Sequence, residues 1–201
     1  MFSLSTIKSN LKIVRPNLFF VEISLPTTLS VSGGTSTSAS GGASAGVTTS
    51  TFKYRCESTE LPGRTLATSD EQSFGSSVKH AYEVTYNDLT VSIIASEDMN
   101  ERRLIETWMD NTVRRPNATN NTGGLIKYYN DYASGTVNIY QLNDQKKQLV
   151  KCTLNRVYPI ALGPLNLTWE ENDTYQRFAV TFAYRWHTTD FTQDDLSKYF
   201  S

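Results

Sequence analysis

Residues 177–189, RFAVTFAYRWHTT, carry Phe178, Val180, Phe182, Tyr184 and Trp186 at alternate positions, with Ala179, Thr181, Ala183 and Arg185 between them. Successive side chains of an extended strand point to opposite faces, whereas a helix repeats every 3.6 residues, so this run is a strand with an aromatic core face. Such a face must be covered by a second layer. The same alternation sets Val150, Cys152 and Leu154 against Lys151, Thr153 and Asn155 in LVKCTLNRVYP, and groups Leu165, Leu167 and Trp169 in LNLTWEE. Asn-Asp pairs at 87–88, 143–144 and 172–173 each fall between strand-like runs. Both residue types tolerate left-handed turn geometry, so three hairpins are predicted.

One segment departs from the strand period. In SEDMNERRLIETWMDNTVRRP, Leu104 with Trp108 and Ile105 with Met109 repeat at helical spacing until Pro116. Ser96 is the expected N-cap, and Glu97 and Asp98 suit the first turn. Arg114 and Arg115 suit the negative end of this helix, with a phosphate-binding pair as the sharper alternative. The Thr27–Ser50 tract, TTLSVSGGTSTSASGGASAGVTTS, has no charge and no aromatic residue, so it cannot offset its ordering entropy by burial. The segment before it is one strand long and cannot form a core alone. The chain therefore reads as a single domain over residues 1–201, with a flexible insertion at 27–50.

Charge and chemistry narrow the function classes. Lys and Arg number 19 against 20 Asp and Glu, which leaves no basic excess to hold nucleic acid by counterion release. Cys56 and Cys152 are far apart and outside any C-x-x-C spacing, and read as buried free thiols rather than as zinc ligands or a disulfide scaffold. His80 and His187 sit in strand-like text without a cysteine or carboxylate cluster nearby, and read as solvated. The acidic groups Glu170-Glu171-Asp173 and Asp194-Asp195 lack the glycine and ligand spacing of a calcium loop and read as solvated charge. Neither a phosphate-cradling glycine loop nor a serine elbow is present. No catalytic residue, metal or cofactor is expected. The amino-terminal text lacks a secretory apolar core, and no run is long enough to span a bilayer, so synthesis in a cytoplasm without a membrane anchor is expected. That expectation also sets aside the sequons at Asn117, Asn120, Asn166 and Asn172.

The stretch FKYRCESTELPGRTLATSD, residues 52–70, resists assignment by period alone. Its Leu61-Pro62-Gly63-Arg64 turn and the carboxylates Glu57 and Glu60 make it a catalytic loop or a structural hook, and the missing histidine favours the hook. In that reading Pro62 fixes one dihedral, Gly63 permits a turn with positive φ, and Arg64 makes a directional contact to a carboxylate of another copy. A turn within one subunit, with a solvated arginine, is the alternative.

The combination of YRCESTELPGRTLATSD, YEVTYNDLTVSIIASEDMNERRLIETWM and YQRFAVTFAYRW resembles the tail tube proteins of contractile-tailed, T4-like bacteriophages. The similarity runs in order from the Arg15–Leu25 strand to the carboxyl end and leaves out the Thr27–Ser50 tract. It implies a mainly β fold, an antiparallel sandwich or partly closed barrel with one flanking helix. Six copies would form a ring with a continuous inner β-barrel, and stacked rings would make a hollow conduit for genome DNA. Leu61, Pro62, Gly63, Arg64, Glu57 and Glu60 then become candidates for contacts between subunits or rings. The implied partners are further copies of the chain, a tail sheath protein, a tape measure protein and a baseplate hub or initiator, in a virion tail assembled in the host cytoplasm. The near-neutral charge balance predicts a bore of neutral to negative potential that passes DNA without tight binding. Alternatives are a baseplate-proximal initiator, the related tube of type VI secretion, a monomeric β-sandwich binding module, or an enzyme whose site is assembled from distant residues.

Overall fold

A computed structural model describes residues 14–26, 55–72, 74–114, 125–169 and 174–191. The Thr27–Ser50 insertion, the Asn172-Asp173 turn, both acidic groups, Arg115 and the sequons at Asn117, Asn120 and Asn172 lie outside the described residues. The elements run β1 (Phe19–Ser24), β2 (Cys56–Thr59), β3 (Arg64–Glu71), β4 (Val78–Tyr86), β5 (Leu89–Ile94), α1 (Asn100–Thr112), α2 (Tyr129–Tyr132), β6 (Gly135–Leu142), β7 (Gln148–Leu162), β8 (Arg177–Ala183) and β9 (Trp186–Asp190). All strand pairs are antiparallel. The body follows the order β1-β6-β7-β8-β5-β2, with β9 also on β7, while β3 and β4 pair only with each other among the described strands.

The long strand β7 belongs to both layers. Its first part pairs with β6 and with β9, and its last part, from Tyr158, pairs with β8. Between them Arg156 adopts a left-handed φ of 60°, and the partner register skips from Asn155–Thr136 to Val157–Gly135. This is a bulge, one extra residue that bends the strand. The strand running along the other edge of β7 breaks at the same level, because Ala183 faces Tyr158 and Trp186 faces Asn155. The run read as one strand through Trp186 is therefore two, β8 and β9, divided at Tyr184-Arg185.

Folding the sheet at this corner brings two apolar faces together. Val21, Ile23, Val137, Ile139, Cys152 and Leu154 from one layer and Leu89, Val91, Ile93, Phe178, Val180 and Phe182 from the other form one buried cluster with Leu104, Ile105 and Trp108 of α1. Each aliphatic side chain in it contributes about 1.5–3 kcal/mol of burial. The predicted alternations at 150–155 and 178–182 are thus observed. LNLTWEE is not a strand over its described part, residues 165–169. It is irregular, with Leu167 and Trp169 exposed, because it forms part of the β7–β8 connection.

The Asn143-Asp144 hairpin forms between β6 and β7, where the Asn143 side-chain oxygen accepts from the Gln145 and Lys147 amides at 2.9 and 2.8 Å. Asn87-Asp88 does not make a hairpin. β4 pairs with β3 and β5 with β2 and β8, so this dipeptide is a link between the arm and the body. Helix α1 is shorter than expected, and Ser96 is not its N-cap. Met99, in left-handed conformation, holds that position without a side-chain bond. Ser96 instead donates its hydroxyl and amide to Glu101 Oε2 at 2.6 and 3.2 Å, while Arg55 Nε lies 3.2 Å from Glu101 Oε1. A buried carboxylate is costly unless paired, so this triad sets how α1 enters the body.

Trp108 closes the other end of α1. Its indole donates to the Tyr132 carbonyl at 3.0 Å, and a Cβ on Gly135 would stand 2.5 Å from its Cη2 and 2.7 Å from its Cζ2. Gly135→Ala should lower stability by about 1–3 kcal/mol, the usual range for overpacking. In urea titration the midpoint should fall with little change in slope; an unchanged midpoint would show that Trp108 yields without cost.

Candidate functional site

The β3–β4 hairpin is an arm. Eight paired residues at about 3.3 Å each give it a length of about 25 Å. Leu66 stands opposite Val84 and both are exposed, as are Val78 and Tyr82. Tyr82 is the extra residue of a bulge between the Ala67–Glu83 and Thr68–Ala81 pairs. An isolated two-stranded hairpin is marginal in water, and exposed apolar side chains on it mark a surface awaiting a partner.

The arm is rooted in an aromatic cluster. Tyr86, at the end of β4 and opposite Arg64, meets the His187 ring edge-on at 5.1 Å, and Tyr184 lies 6.0 Å from the same ring. His187 Nδ1 and the Tyr184 hydroxyl are buried without a hydrogen-bond partner among the described residues. Burial, and secondarily the charge of Arg64, lowers the His187 pKa. Burial also pushes Tyr184 up to about 12. His187 is therefore not the solvated histidine the sequence suggests; its environment comes from β4 and the β8–β9 break, which are distant in sequence. His80 is exposed on the arm, 3.7 Å from Glu71.

The predicted hook divides into two parts. Glu57 lies on β2, where Tyr175 Oη and Arg177 Nη1 each donate to its Oε1 at 2.9 Å and Ser92 Oγ to its Oε2 at 3.4 Å. The tyrosine hydrogen bond first, and Arg177 after it, hold this carboxyl below the ordinary range. Its bonds therefore tie β2, β5 and the start of β8 together within one chain. Glu60, Leu61 and Gly63 are exposed in the link to the arm, Pro62 is half-buried, and Arg64 opens β3. Gly63 does not take a positive φ and has open space around its Cβ position, so a turn that only glycine can make is not what it supplies. The left-handed glycine is Gly75 at the arm tip, with φ +89°. Cys56 and Cys152 are free thiols, half-buried and buried, and burial pushes Cys56 up to about 12, far from a reactive thiolate.

The residues that sequence reasoning missed are the arm's apolar set and Glu101. Alternation is present in residues 64–86, but it cannot show that neither face is covered. Glu101 reads as a first-turn acid, and only the approach of Arg55 and Ser96 reveals its role. No cluster of metal-ligating side chains occurs among the described residues, and no helix among them is long and apolar enough to cross a membrane.

A double-layered antiparallel body that carries an uncovered hairpin defines a subunit of an assembly rather than a closed monomer. Residues 14–190 match the model of the phage tail tube protein family, and the chain belongs to that family, as a structural component of the virion tail. It is 26% identical over 132 residues to the tail tube protein gp19 of Enterobacteria phage T6 and, equally, to that of phage T4, covering 66% of this chain and 78% of each relative. Among solved structures, the fold is similar to a chain of the sheath-tube complex of an extracellular contractile injection system, PVC, in its extended state. The TM-score is 0.58 at 11% identity, covering 96% of this chain and 100% of that one. A chain of the anti-feeding prophage tube-terminating cap gives a TM-score of 0.59 at 11% identity, covering 90% and 93%.

The depressed His187 pKa sets a pH dependence. The unfolded histidine titrates near about 6.5 and the folded one below it, so the folded protein binds fewer protons and loses stability as pH falls beneath about 6.5. Denaturation midpoints should be flat from pH 8 to 7 and decline between about pH 6.5 and the folded value. His187→Phe should flatten that part of the curve; the same decline in the variant would assign it to other groups.

Proposed function

We propose that copies of this chain close into rings, six to a ring, and that the rings stack into the tail tube through which the genome passes. The arm carries this reading: its apolar residues are solvated in one chain, and a neighbour of the same kind is always at hand in a homo-oligomer. A ring formed by strand contacts between copies also removes the free edges of β1, β2 and β9, each of which has a pairing partner on one side only among the described strands. The role is structural rather than enzymatic. The partners are a sheath protein outside, a tape measure protein within during assembly, and a baseplate hub or initiator at one end. DNA is a passenger, not a tightly held ligand.

Two features support a bore that lets DNA slide. The outward face of β7, β8 and β5 presents Ala161, Thr181 and Thr90 in one row and Ala179 beside Ser92 in the next, all short and uncharged. At its margin Arg177 is neutralised by Glu57 at 2.9 Å. Leu61 to Gly63 join the arm to the body, and Arg64 at the arm's root meets the adjacent copy.

Negative-stain microscopy of the purified protein should show rings or hollow tubes. Replacing residues 65–85 by a short turn should leave a folded monomer that forms neither. Arg64→Glu should weaken assembly, whereas Gly63→Val, at an open site without positive φ, should assemble at close to the wild-type rate. Dispersed wild-type monomers at high concentration, or full assembly without the arm, would overturn the proposal.

A further inference from the structure

We propose that the tip of the arm seats Phe74 in the cleft at the β7–β8 connection of a second copy of this chain. The inference rests on the assembly reading above and names its contact. The tip is a shaped turn rather than a loose end. Gly75 holds a φ of +89° and Gln72 Nε2 donates to the Gly75 carbonyl at 2.7 Å, which presents Phe74 fully exposed between them. A large aromatic side chain set outward on a defined turn is the form of an interface anchor.

The cleft has the matching form. It encloses about 730 Å³ and is lined in part by Leu165, Leu167, Trp169, Tyr175 and Arg177. Trp169 is fully exposed and Leu167 is 81% exposed, so its apolar wall is uncovered in the single chain. The volume is ample for one phenyl ring flanked by backbone. Knob and cleft occur in the same sequence and do not meet within one copy, which leaves another copy as the partner present in equal amount. A contact between two different patches is heterologous and propagates into a ring or a filament, as a tube requires.

Charge agrees with this pairing. The arm from Arg64 to Tyr86 carries Arg64 and Lys79 against Asp70, Glu71 and Glu83, a net negative charge concentrated near the tip by Asp70 and Glu71. Arg177 is the charged residue lining the cleft, is 64% exposed, and spends one amino group on Glu57. Its remaining donors face solvent and suit a carboxylate arriving beside Phe74.

Cysteine cross-linking tests the contact in the full chain. Under mild oxidation the double variant Phe74→Cys, Leu167→Cys should give a ladder of linked multimers. A mixture of the two single variants should give dimers that do not extend, and each single variant alone should give no link above wild type. Phe74→Ala should raise the critical concentration for assembly by about tenfold or more. It should leave monomer unfolding unchanged, because Phe74 is fully exposed in the isolated chain. Links in the Phe74→Cys variant alone would replace the proposal with a symmetric tip-to-tip contact. Tubes visible by microscopy without cross-links in the double variant would overturn the contact and leave the assembly reading standing. Wild-type protein that never assembles would remove both.

Discussion

The corner in β7 is the constraint on which the rest depends. One strand serves both layers only if it bends without losing its pairing, and the bulge at Arg156 does this by leaving one residue out of register. The break at Tyr184-Arg185 lets the neighbouring strand bend at the same level, with the Arg185 amide donating to the Asn155 carbonyl at 3.1 Å. Close by, Gly135 admits the Trp108 ring where any side chain would collide. Helix α1 can therefore pack onto the concave side of the corner and complete the core. Without the bend, the aromatic face of β8 would have no opposing layer.

The body's buried and half-buried charges are largely satisfied within one chain. Glu101 is held by Ser96 and faces Arg55, and Glu57 is held by Tyr175, Arg177 and Ser92. These bonds lock the helix entry and the free side of β2 in single geometries. The arm differs in kind: its polar groups are solvated and its apolar residues are bare. Rigidity in the body and incompleteness in the arm together suit a part that must hold its shape while joining copies of itself. Membership of the phage tail tube protein family agrees with that division.

The aromatic root of the arm links the two halves. Tyr86, Tyr184 and His187 pack where the arm leaves the body, and two of their polar atoms are buried without partners among the described residues. The neutral form of His187 suits this site, because a cation there would face Arg64 in a poorly hydrated setting. The angle of the arm is thus set by ring packing rather than by hydrogen bonds.

Sequence alone determined the local features that repeat with a fixed period or need a particular residue type. Alternation at 150–155 and 178–182 identified strands and their buried faces, the Leu104, Ile105 and Trp108 spacing identified the helix, and Asn143-Asp144 identified one hairpin. The motif order around CESTELPGR and SEDMNERR pointed to the family. Tertiary structure decided what contacts between distant segments control. Asn87-Asp88 looks like Asn143-Asp144 in sequence, yet β4 and β5 go to different partners, because pairing is settled by the faces that β2, β3 and β8 offer. His187 and Trp169 both follow apolar alternation, yet one is enclosed by rings and the other stands in solvent. Period reports which side of a strand a residue occupies; whether anything covers that side depends on the fold of the whole chain.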